Sequence, residues 1–202
     1  MSLSARLQKH MVAAAAVAAG TAATANAAIV YSGLVNLTCP NTFAGVYLNL
    51  QTGATGTSSG SNPGWDINPY GNGYLRLFQP GSGGGFMSYS GGLGAGNLDF
   101  GQTIGAAATW HTSIANSTPS FGAGAGQWKF NADNLLGVRF LDAASAVRYG
   151  WVRFRMGADA NSKVIVDWAY EDTGASIGAG VPAPGALALL GVAGLAGRRR
   201  RR

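Results

Sequence analysis

The chain of 202 residues contains a single cysteine, Cys39, so no disulfide can form within it and its stability must come from packing. We expect Cys39 to be a small buried apolar residue. Histidine is nearly as scarce, with His10 close to the N-terminus and His111 far along the chain. Because no nucleophile or carboxylate stands at a defined spacing from His111, the sequence does not indicate hydrolytic catalysis. We expect His111 to lie at the surface or in a turn.

Charged residues are also few, and most of the excess positive charge lies at the two ends. The net charge is +6, from 14 Lys and Arg against 8 Asp and Glu. Arg6, Lys9 and the arginines 198–202 supply seven of those cations, so residues 28–181 carry seven cations against eight acids, a net charge of −1. A segment without a basic excess does not favour nucleic acid as a partner.

The sequence also lacks clusters with the spacing of metal ligands. In the segment 65–72 (WDINPYGN), Asp66, Asn68 and Asn72 could supply oxygens to calcium, which takes about six to eight of them. A turn with side-chain hydrogen bonds is the simpler interpretation of that segment. Glu171 and Asp172 are adjacent at a strand end and should point to opposite faces, which does not suit an acid–base pair. We therefore predict no metal, no cofactor and no catalytic residue.

What the sequence has instead are short apolar runs between turn clusters. No window between 29 and 180 keeps an apolar period of 3.6 residues, so we predict an all-β fold, a single antiparallel β-sandwich that is jelly-roll-like and spans 28–180. Asn72-Gly73 suits a tight turn with positive φ. The composition of residues 51–64 predicts a loop, and the alanines 106–108 could form one helical turn. The predicted strands are 29–38, 43–50, 73–79, 85–90, 126–131, 136–142, 148–156 and 162–170.

The clearest pattern is a three-strand meander over 136–172. Placing Val138 opposite Val152, and Phe154 opposite Val164, makes one face apolar throughout. Gly150 then lies opposite Trp168 and leaves room for its indole. A shift by one residue would bury arginines, so the faces are strongly specified. The other face, with Arg139, Trp151 and Asp167, should be exposed, and a second sheet must cover the apolar one.

The N-terminal segment 1–27 has the three parts of a secretory signal peptide. A basic start precedes the apolar run 11–20 (MVAAAAVAAG), which is too short to span a bilayer, since that takes about 20 apolar residues. Ala25 and Ala27 form an A-x-A cleavage site, and the mature chain is predicted to begin at Ala28.

The C-terminal segment 181–202 has a different three-part pattern. Val181, Pro182, Ala183 and Pro184 form a stiff, extended spacer, because proline fixes φ. The apolar run 185–197 would form a helix about 20 Å long, short of a hydrocarbon core about 30 Å thick. Lys and Arg clusters stay on the cytoplasmic side, so the tail indicates transient membrane insertion, with a permanent anchor or a basic nucleic-acid-binding tail as alternatives. That cluster is Arg198, Arg199, Arg200, Arg201 and Arg202.

This tail resembles the PEP-CTERM sorting signal of exported Gram-negative proteins, which combines a Pro-x-Pro motif, a short apolar helix and a terminal arginine cluster. The resemblance implies that an exosortase-type enzyme recognises and processes the tail on cells that produce exopolysaccharide. It also implies a location at the cell surface or in the extracellular matrix. Ala183 stands where the family usually has glutamate.

Residues 126–180 resemble the C-terminal half of many proteins of that family. GVRF (137–140), RYGWVRF (148–154), VDWAYED (166–172) and IGAG (177–180) occur here in the family's order, with Arg148 in place of the common histidine. The resemblance implies a secreted β-sandwich and no particular activity. Some of these proteins also carry an acidic, calcium-like run, for which residues 49–56 offer no acid.

Tryptophan is the remaining candidate for function, because an aromatic ring offers sugars a flat apolar face and polar neighbours can fix their orientation. Trp168 should be core. Trp151, flanked by Arg139, and Trp65, beside Asp66 and Tyr70, are the candidate glycan-binding residues. The simpler alternative is that these rings cover the core and the sheet edges.

The sequence as a whole predicts an exported cell-surface or extracellular-matrix protein with a structural or adhesive role, and not an enzyme. The alternative function is a lectin-like module that binds matrix exopolysaccharide. The expected partners are an exosortase-type processing enzyme, the membrane during transient insertion of the tail, and either a polysaccharide or further copies of the protein.

Overall fold

A computed structural model describes residues 28–81, 83–89, 94–112 and 117–181. These residues form an all-β structure without a helix, which confirms the predicted fold class. The predicted signal peptide and the apolar C-terminal helix lie outside the described residues. Within the described ranges, no helical segment has the length and apolar character needed to cross a membrane.

The described residues contain thirteen strands, and three of them, β10 to β12, are much longer than the rest. The bounds are β1 Ile29–Tyr31, β2 Leu37–Thr38, β3 Tyr47–Leu48, β4 Thr55–Gly56, β5 Asn68–Tyr70, β6 Arg76–Phe78, β7 Gly85–Met87, β8 Thr103–Ile104, β9 Trp110–His111, β10 Ala132–Leu141, β11 Val147–Met156, β12 Lys163–Glu171 and β13 Ile177–Gly178.

Seven strands form the central sheet, in the order β1-β12-β11-β10-β7-β9, with β2 also paired to β12. All of its pairs are antiparallel. The consecutive long strands β10, β11 and β12 form the predicted meander. Alternating apolar residues over nine or ten positions give each of them one face to bury, which explains their length.

The register of this meander differs from the prediction by two residues. Val138 lies opposite Gly150 instead of Val152, and Gly150 lies opposite Tyr170 instead of Trp168. A shift by an even number keeps a side chain on its predicted face, and this holds for β10, for β11 and for β12 after Val166. The two registers are equivalent for the inward–outward pattern, so the sequence could not distinguish them.

A β-bulge between Arg153 and Phe154 changes the pairing further along β11 and β12. Phe154 lies opposite Ile165, and Val164 lies opposite Arg155, so the predicted pairing of Phe154 with Val164 is wrong. An extra residue in one strand moves the following side chains to the opposite face. Lys163 is thereby placed opposite Met156, on the core side, where the sequence pattern expected Ser162 at the strand end.

The first face of the sheet packs on the main core, which combines Leu136, Phe140, Val152 and Phe154 with residues from 39–50 and 67–77. Trp168 belongs to this core, as predicted, and its Nε1 donates to the Leu50 carbonyl at 2.9 Å. Cys39 is also buried there, as expected of a small apolar residue. Burial raises the pKa of its thiol to about 12.

The second face is also covered, and the prediction that it is exposed is wrong. Trp151 is 1% exposed and Asp167 is 0% exposed. A second apolar cluster covers this face and includes Met87, Leu98, Ile104 and Ile177. Arg153 and Tyr31 both hydrogen-bond the Asp167 carboxylate, which is how that charge is accommodated in the interior.

Three small two-stranded sheets complete the fold: β3–β4, β5–β6 and β13–β8. The predicted strands 43–50 and 73–79 are shorter than expected, and 29–38 is divided into β1 and β2. The predicted strand 126–131 contains only an isolated bridge, between Trp128 and Phe121. The alanines 106–108 form a turn, closed by the Ala108 N–H donating to the Gly105 carbonyl, instead of a helical turn.

Candidate functional site

The five predicted glycan-binding residues do not form one site. Trp151 lies in the second cluster, where its ring centroid is 6.2 Å from that of Tyr31. The predicted exposure of Trp151 is therefore wrong, because segments before and after β11 in the chain, which include Leu98, Ile104 and Ile177, cover that face. Arg139 is paired with Tyr149, not placed beside Trp151, and its guanidinium lies 5.4 Å from the Trp110 ring. These two residues are thus not part of the aromatic group around Trp65.

Trp65 lies in a half-buried aromatic group on the other side of the molecule. Its ring meets that of Tyr47 edge-on, with centroids 4.9 Å apart, and it lies 5.3 Å from the ring of Phe78 at an interplanar angle of 30°. Edge-to-face and tilted contacts of this kind stabilise aromatic pairs beyond the area that they bury. The rings therefore hold one another in fixed positions while part of each remains accessible.

Strand β6 and the two residues before its start extend this group by simple alternation. Leu75 and Leu77 are buried in the main core, whereas Tyr74, Arg76 and Phe78 are half-buried on the outer side. Residues two apart in a strand share a face and are about 6.6 Å apart, so the three side chains form a row about 13 Å long.

The far end of the row is Phe43, whose side chain is 72% exposed and whose ring centroid lies 6.4 Å from that of Tyr74. Between the two aromatic groups, the Arg76 guanidinium lies 4.9 Å from the centre of the Tyr74 ring. Such cation–π contacts fix the direction of an arginine without neutralising it. We call this surface the aromatic face and define it as Phe43, Tyr47, Trp65, Tyr74, Arg76 and Phe78.

Backbone pairing and one buried amide position the aromatic face. Strands β5 and β6 are joined through Asn72-Gly73, and Gly73 has φ +77°, which confirms the predicted turn with positive φ. Tyr70 pairs with Arg76 and borders the face. The buried Asn68 donates from Nδ2 to the Ala44 carbonyl at 2.9 Å, which fastens the loop that carries Phe43 to β5.

Asp66 follows Trp65 but does not belong to the exposed surface. It is 6% exposed, and its Oδ2 accepts a hydrogen bond from the Leu50 N–H at 2.7 Å. Burial raises the pKa of the Asp66 carboxyl to about 7, and the hydrogen bond from Leu50 opposes that rise. The prediction that Asp66 orients a sugar is therefore wrong; the side chain instead connects the segment after β3 to the one before β5.

A buried lysine near the aromatic face was not predicted to have any role. Lys163 is 1% exposed, and its Nζ donates to Asn41 Oδ1 at 3.0 Å and to the carbonyls of Gly71 and Ala160 at 3.1 and 2.8 Å. Burial lowers the pKa of its ammonium. Lys163 thus joins three loops at one end of the β5–β6 hairpin, and only the bulge in β12 turns it inward.

Ring stacking and hydrogen bonding are the interactions that the aromatic face can make. Its groups are aromatic rings, one guanidinium and neighbouring amides. In the part of the chain that the structure describes, no three His, Cys, Asp or Glu residues are placed to hold a metal ion. The Glu171 carboxylate is engaged by Thr173 and by the Ala175 N–H. His111 lies half-buried in β9, and its carbonyl accepts a hydrogen bond from Gln79.

The residues predicted for processing lie at the ends of the described chain or beyond it. Ala25, Ala27, Pro182, Ala183, Pro184 and the arginines Arg198 to Arg202 are outside the described residues. Ala28 is exposed, and its N–H donates to Asp172 Oδ1 at 3.1 Å while its carbonyl accepts from the Asp172 N–H. Val181 is half-buried, and its carbonyl accepts from Trp151 Nε1 at 3.3 Å.

Comparison with known proteins adds no family to this description. No protein-family model matches the chain, and neither the curated proteins nor the solved structures gave a match. Function must therefore be argued from the aromatic face and from the pattern of the two ends.

Most of the aromatic face was missed at the level of sequence, although a signal was present. The segment 74–78 (YLRLF) alternates leucines with aromatic residues and arginine, which indicates a strand with one apolar and one functional face. Tyr47 and Phe43 carry no such signal, because loops far apart in the chain bring them to Trp65 and Tyr74.

Proposed function

We propose that this protein is exported and acts in adhesion, at the cell surface or in the extracellular matrix, by binding polysaccharide through its aromatic face. The observation that carries the proposal is the exposure of Phe43 at the end of a row of half-buried rings. Burying a phenylalanine side chain is worth about 1.5–3 kcal/mol, and Phe43 leaves most of that free energy unused at 72% exposure. A partner that covers Phe43 and the neighbouring rings would recover it.

A polysaccharide suits this surface because sugar rings have apolar C–H faces and polar edges. Aromatic side chains pack on the former, and a few fixed polar groups orient the latter. Beside Phe43 and Tyr74 lies an amide cluster in which Asn41 Nδ2 donates to Asn161 Oδ1 at 2.9 Å and to Asn72 Oδ1 at 3.3 Å. The exposed Asn72 extends the row with hydrogen-bonding capacity.

The finer architecture that we propose is a β-sandwich, jelly-roll-like in arrangement. The central sheet would be one layer, and the β3–β4 and β5–β6 sheets the other. The support is the main core, which joins residues from both groups of strands in one apolar cluster. In this arrangement the aromatic face is the outer surface of the second layer.

Export and sorting complete the proposal. Cleavage before Ala28 would create an α-amino group where the Ala28 nitrogen already lies 3.1 Å from the Asp172 carboxylate, so the new charge would have a partner. The PEP-CTERM-like tail would then be handled by an exosortase-type enzyme after transient membrane insertion. This sequence of events would bring the aromatic face into contact with exopolysaccharide outside the cell.

Affinity electrophoresis of the purified protein through gels that contain polysaccharide tests the binding. We expect the wild-type protein to be retarded, and Phe43→Ser to weaken binding by about tenfold, since it removes one apolar contact from the complex. Trp65→Leu should weaken it further.

Phe100→Ser is the matched control, because Phe100 is 74% exposed but lies beside the second cluster, on the other side of the sheet. Melting curves of all variants separate lost binding from lost folding. The proposal is wrong if no polysaccharide retards the wild-type protein, or if Phe100→Ser weakens binding as much as Phe43→Ser.

A further inference from the structure

Arg76 differs from the other described arginines because no oxygen atom of the described residues accepts a hydrogen bond from its guanidinium. Within the described ranges, no carboxylate lies within salt-bridge distance of Arg76, and its guanidinium rests on the Tyr74 ring. The other four arginines are held by oxygen atoms of the protein. They are Arg148 with Asp142, Arg153 with Asp167, Arg155 with Asp133, and Arg139 with the Gly83 carbonyl.

The position of Arg76 indicates what its guanidinium could bind. It lies at the middle of the aromatic face, two residues from Tyr74 and two from Phe78 on the same side of the strand. Its guanidinium therefore lies between two groups of rings, where a ligand that covers both groups would meet it. Arginine in this arrangement suits a planar oxyanion, which it can bind through two parallel hydrogen bonds.

Among the described residues, no carboxylate comes within salt-bridge distance of Arg76 to serve as that oxyanion. Asp66 is the one acidic residue between 59 and 98, and its carboxyl is buried and engaged by the Leu50 N–H. The domain as a whole has a net charge of −1, yet the centre of the aromatic face carries an unneutralised positive charge. Charge complementarity therefore favours an anionic ligand at this point.

We propose that the polysaccharide bound by the aromatic face is acidic, and that Arg76 binds the carboxylate of a uronate residue while the rings on both sides pack on neighbouring sugars. This inference rests on the proposed function, since it names the ligand class of the same surface. In this proposal, Arg76 selects sugars that carry a carboxylate, and the aromatic rings bind sugars whether charged or not.

The experiment compares one polymer with and without its charge. The purified full-length protein is titrated with polygalacturonate and with its fully methyl-esterified form, which has the same backbone but no carboxylates. We expect wild-type protein to bind the acidic polymer about three- to tenfold more tightly, the range of a partly exposed charge-assisted contact. That preference should shrink as salt is raised, since screening acts over about 10 Å at 0.1 M.

Three variants test whether Arg76 causes the preference for the acidic polymer. Arg76→Gln should bind both polymers with the same affinity, close to that of wild-type protein for the ester. Lys129→Gln removes another exposed cation, remote in sequence from the aromatic face, and should keep the preference. Equal melting temperatures would show that both variants fold. Arg76→Lys should keep part of the preference, because it retains the charge without the planar fork.

The outcomes separate the inference from the proposed function. Binding of both polymers with equal affinity by the wild-type protein would overturn the inference and leave polysaccharide binding in place. A preference that persists in Arg76→Gln, or that Lys129→Gln also removes, would overturn the role of Arg76. Binding of polyglutamate as tightly as polygalacturonate would replace the sugar by an acidic peptide. Binding of neither polysaccharide, nor of any other, would overturn the proposed function itself.

Discussion

At the scale of single residues, neighbours in the sequence have opposite environments in the segment 65–66. Trp65 lies on the aromatic face, while Asp66 turns inward and is held by the Leu50 N–H. The raised pKa of Asp66 links folding to pH. Between pH about 4, where an unfolded aspartate releases its proton, and pH about 7, the folded state keeps a proton that the unfolded state has lost.

This difference fixes the sign of a prediction for Asp66→Asn. Because the folded state binds more protons in that window, the free energy of unfolding of the wild-type protein should fall as pH rises from about 4 to about 7. We expect a contribution of roughly 2–4 kcal/mol, at ~1.4 kcal/mol for each pKa unit. Asp66→Asn should abolish this contribution, so the variant gains stability relative to wild type at pH 8. Urea denaturation across the pH range measures it.

Asp99→Asn is the matched control, because it makes the same chemical change at an exposed aspartate. An Asp66→Asn profile that falls as steeply as the wild-type profile would show that another group is responsible.

At the scale of elements, the meander β10–β11–β12 depends on a close approach at Gly150. A Cβ at this position would lie 2.6 Å from the Ala169 carbonyl oxygen and 3.0 Å from the Tyr170 Cβ. The glycine therefore makes room for the adjacent strand and Tyr170, not for the indole of Trp168 as the sequence suggested. The requirement for a small residue was predicted correctly, and the neighbour that imposes it was not.

We accordingly expect Gly150→Ala to destabilise the protein by about 1–3 kcal/mol through overpacking, and Gly150→Val by more. Gly60→Ala is the control, since a Cβ at Gly60 meets nothing within 4 Å and should change stability by less than about 0.5 kcal/mol. Thermal denaturation of the three variants provides the comparison. Equal melting temperatures for Gly150→Ala and the wild type would contradict the register of β11 and β12.

At the scale of the whole molecule, both ends of the described chain are fastened to the central sheet. Ala28 pairs with Asp172, directly after β12, and Val181 accepts a hydrogen bond from Trp151 in β11. The predicted cleavage site and the predicted sorting tail therefore adjoin residues with defined contacts. Processing at either side would leave the hydrogen bonds of Ala28 and Val181 in place.

For native cells, we expect the released protein to begin at Ala28 and to end near residues 181–184, without the terminal arginines. Intact and C-terminal-peptide mass spectrometry of the membrane and released fractions measures both ends. The protein extracted with the membrane serves as the reference for the unprocessed tail. Recovery of the protein only in the membrane fraction, with Arg202 still attached, would contradict sorting and support a permanent anchor.

The sequence by itself determined the features that depend on neighbouring residues. Alternation predicted the all-β class, the three long strands and the core-facing residues of β10 and β11, because side chains in a strand point to opposite sides in turn. Asn72-Gly73 predicted a turn, because glycine tolerates positive φ. Trp168 and Cys39 were correctly predicted to be buried.

Only the tertiary structure decided which surfaces are covered. Trp151 and Trp65 were both candidate glycan-binding residues in the sequence, yet the first is enclosed by residues that include 94–112 and 177–181, and the second is half-buried on the aromatic face. The aromatic face unites residues from 43 to 78 through loops held by Asn68, and the inward turn of Lys163 depends on a bulge. Covering and assembly of this kind come from long-range contacts, whose free energy depends on the packed neighbour and leaves no local pattern in the chain.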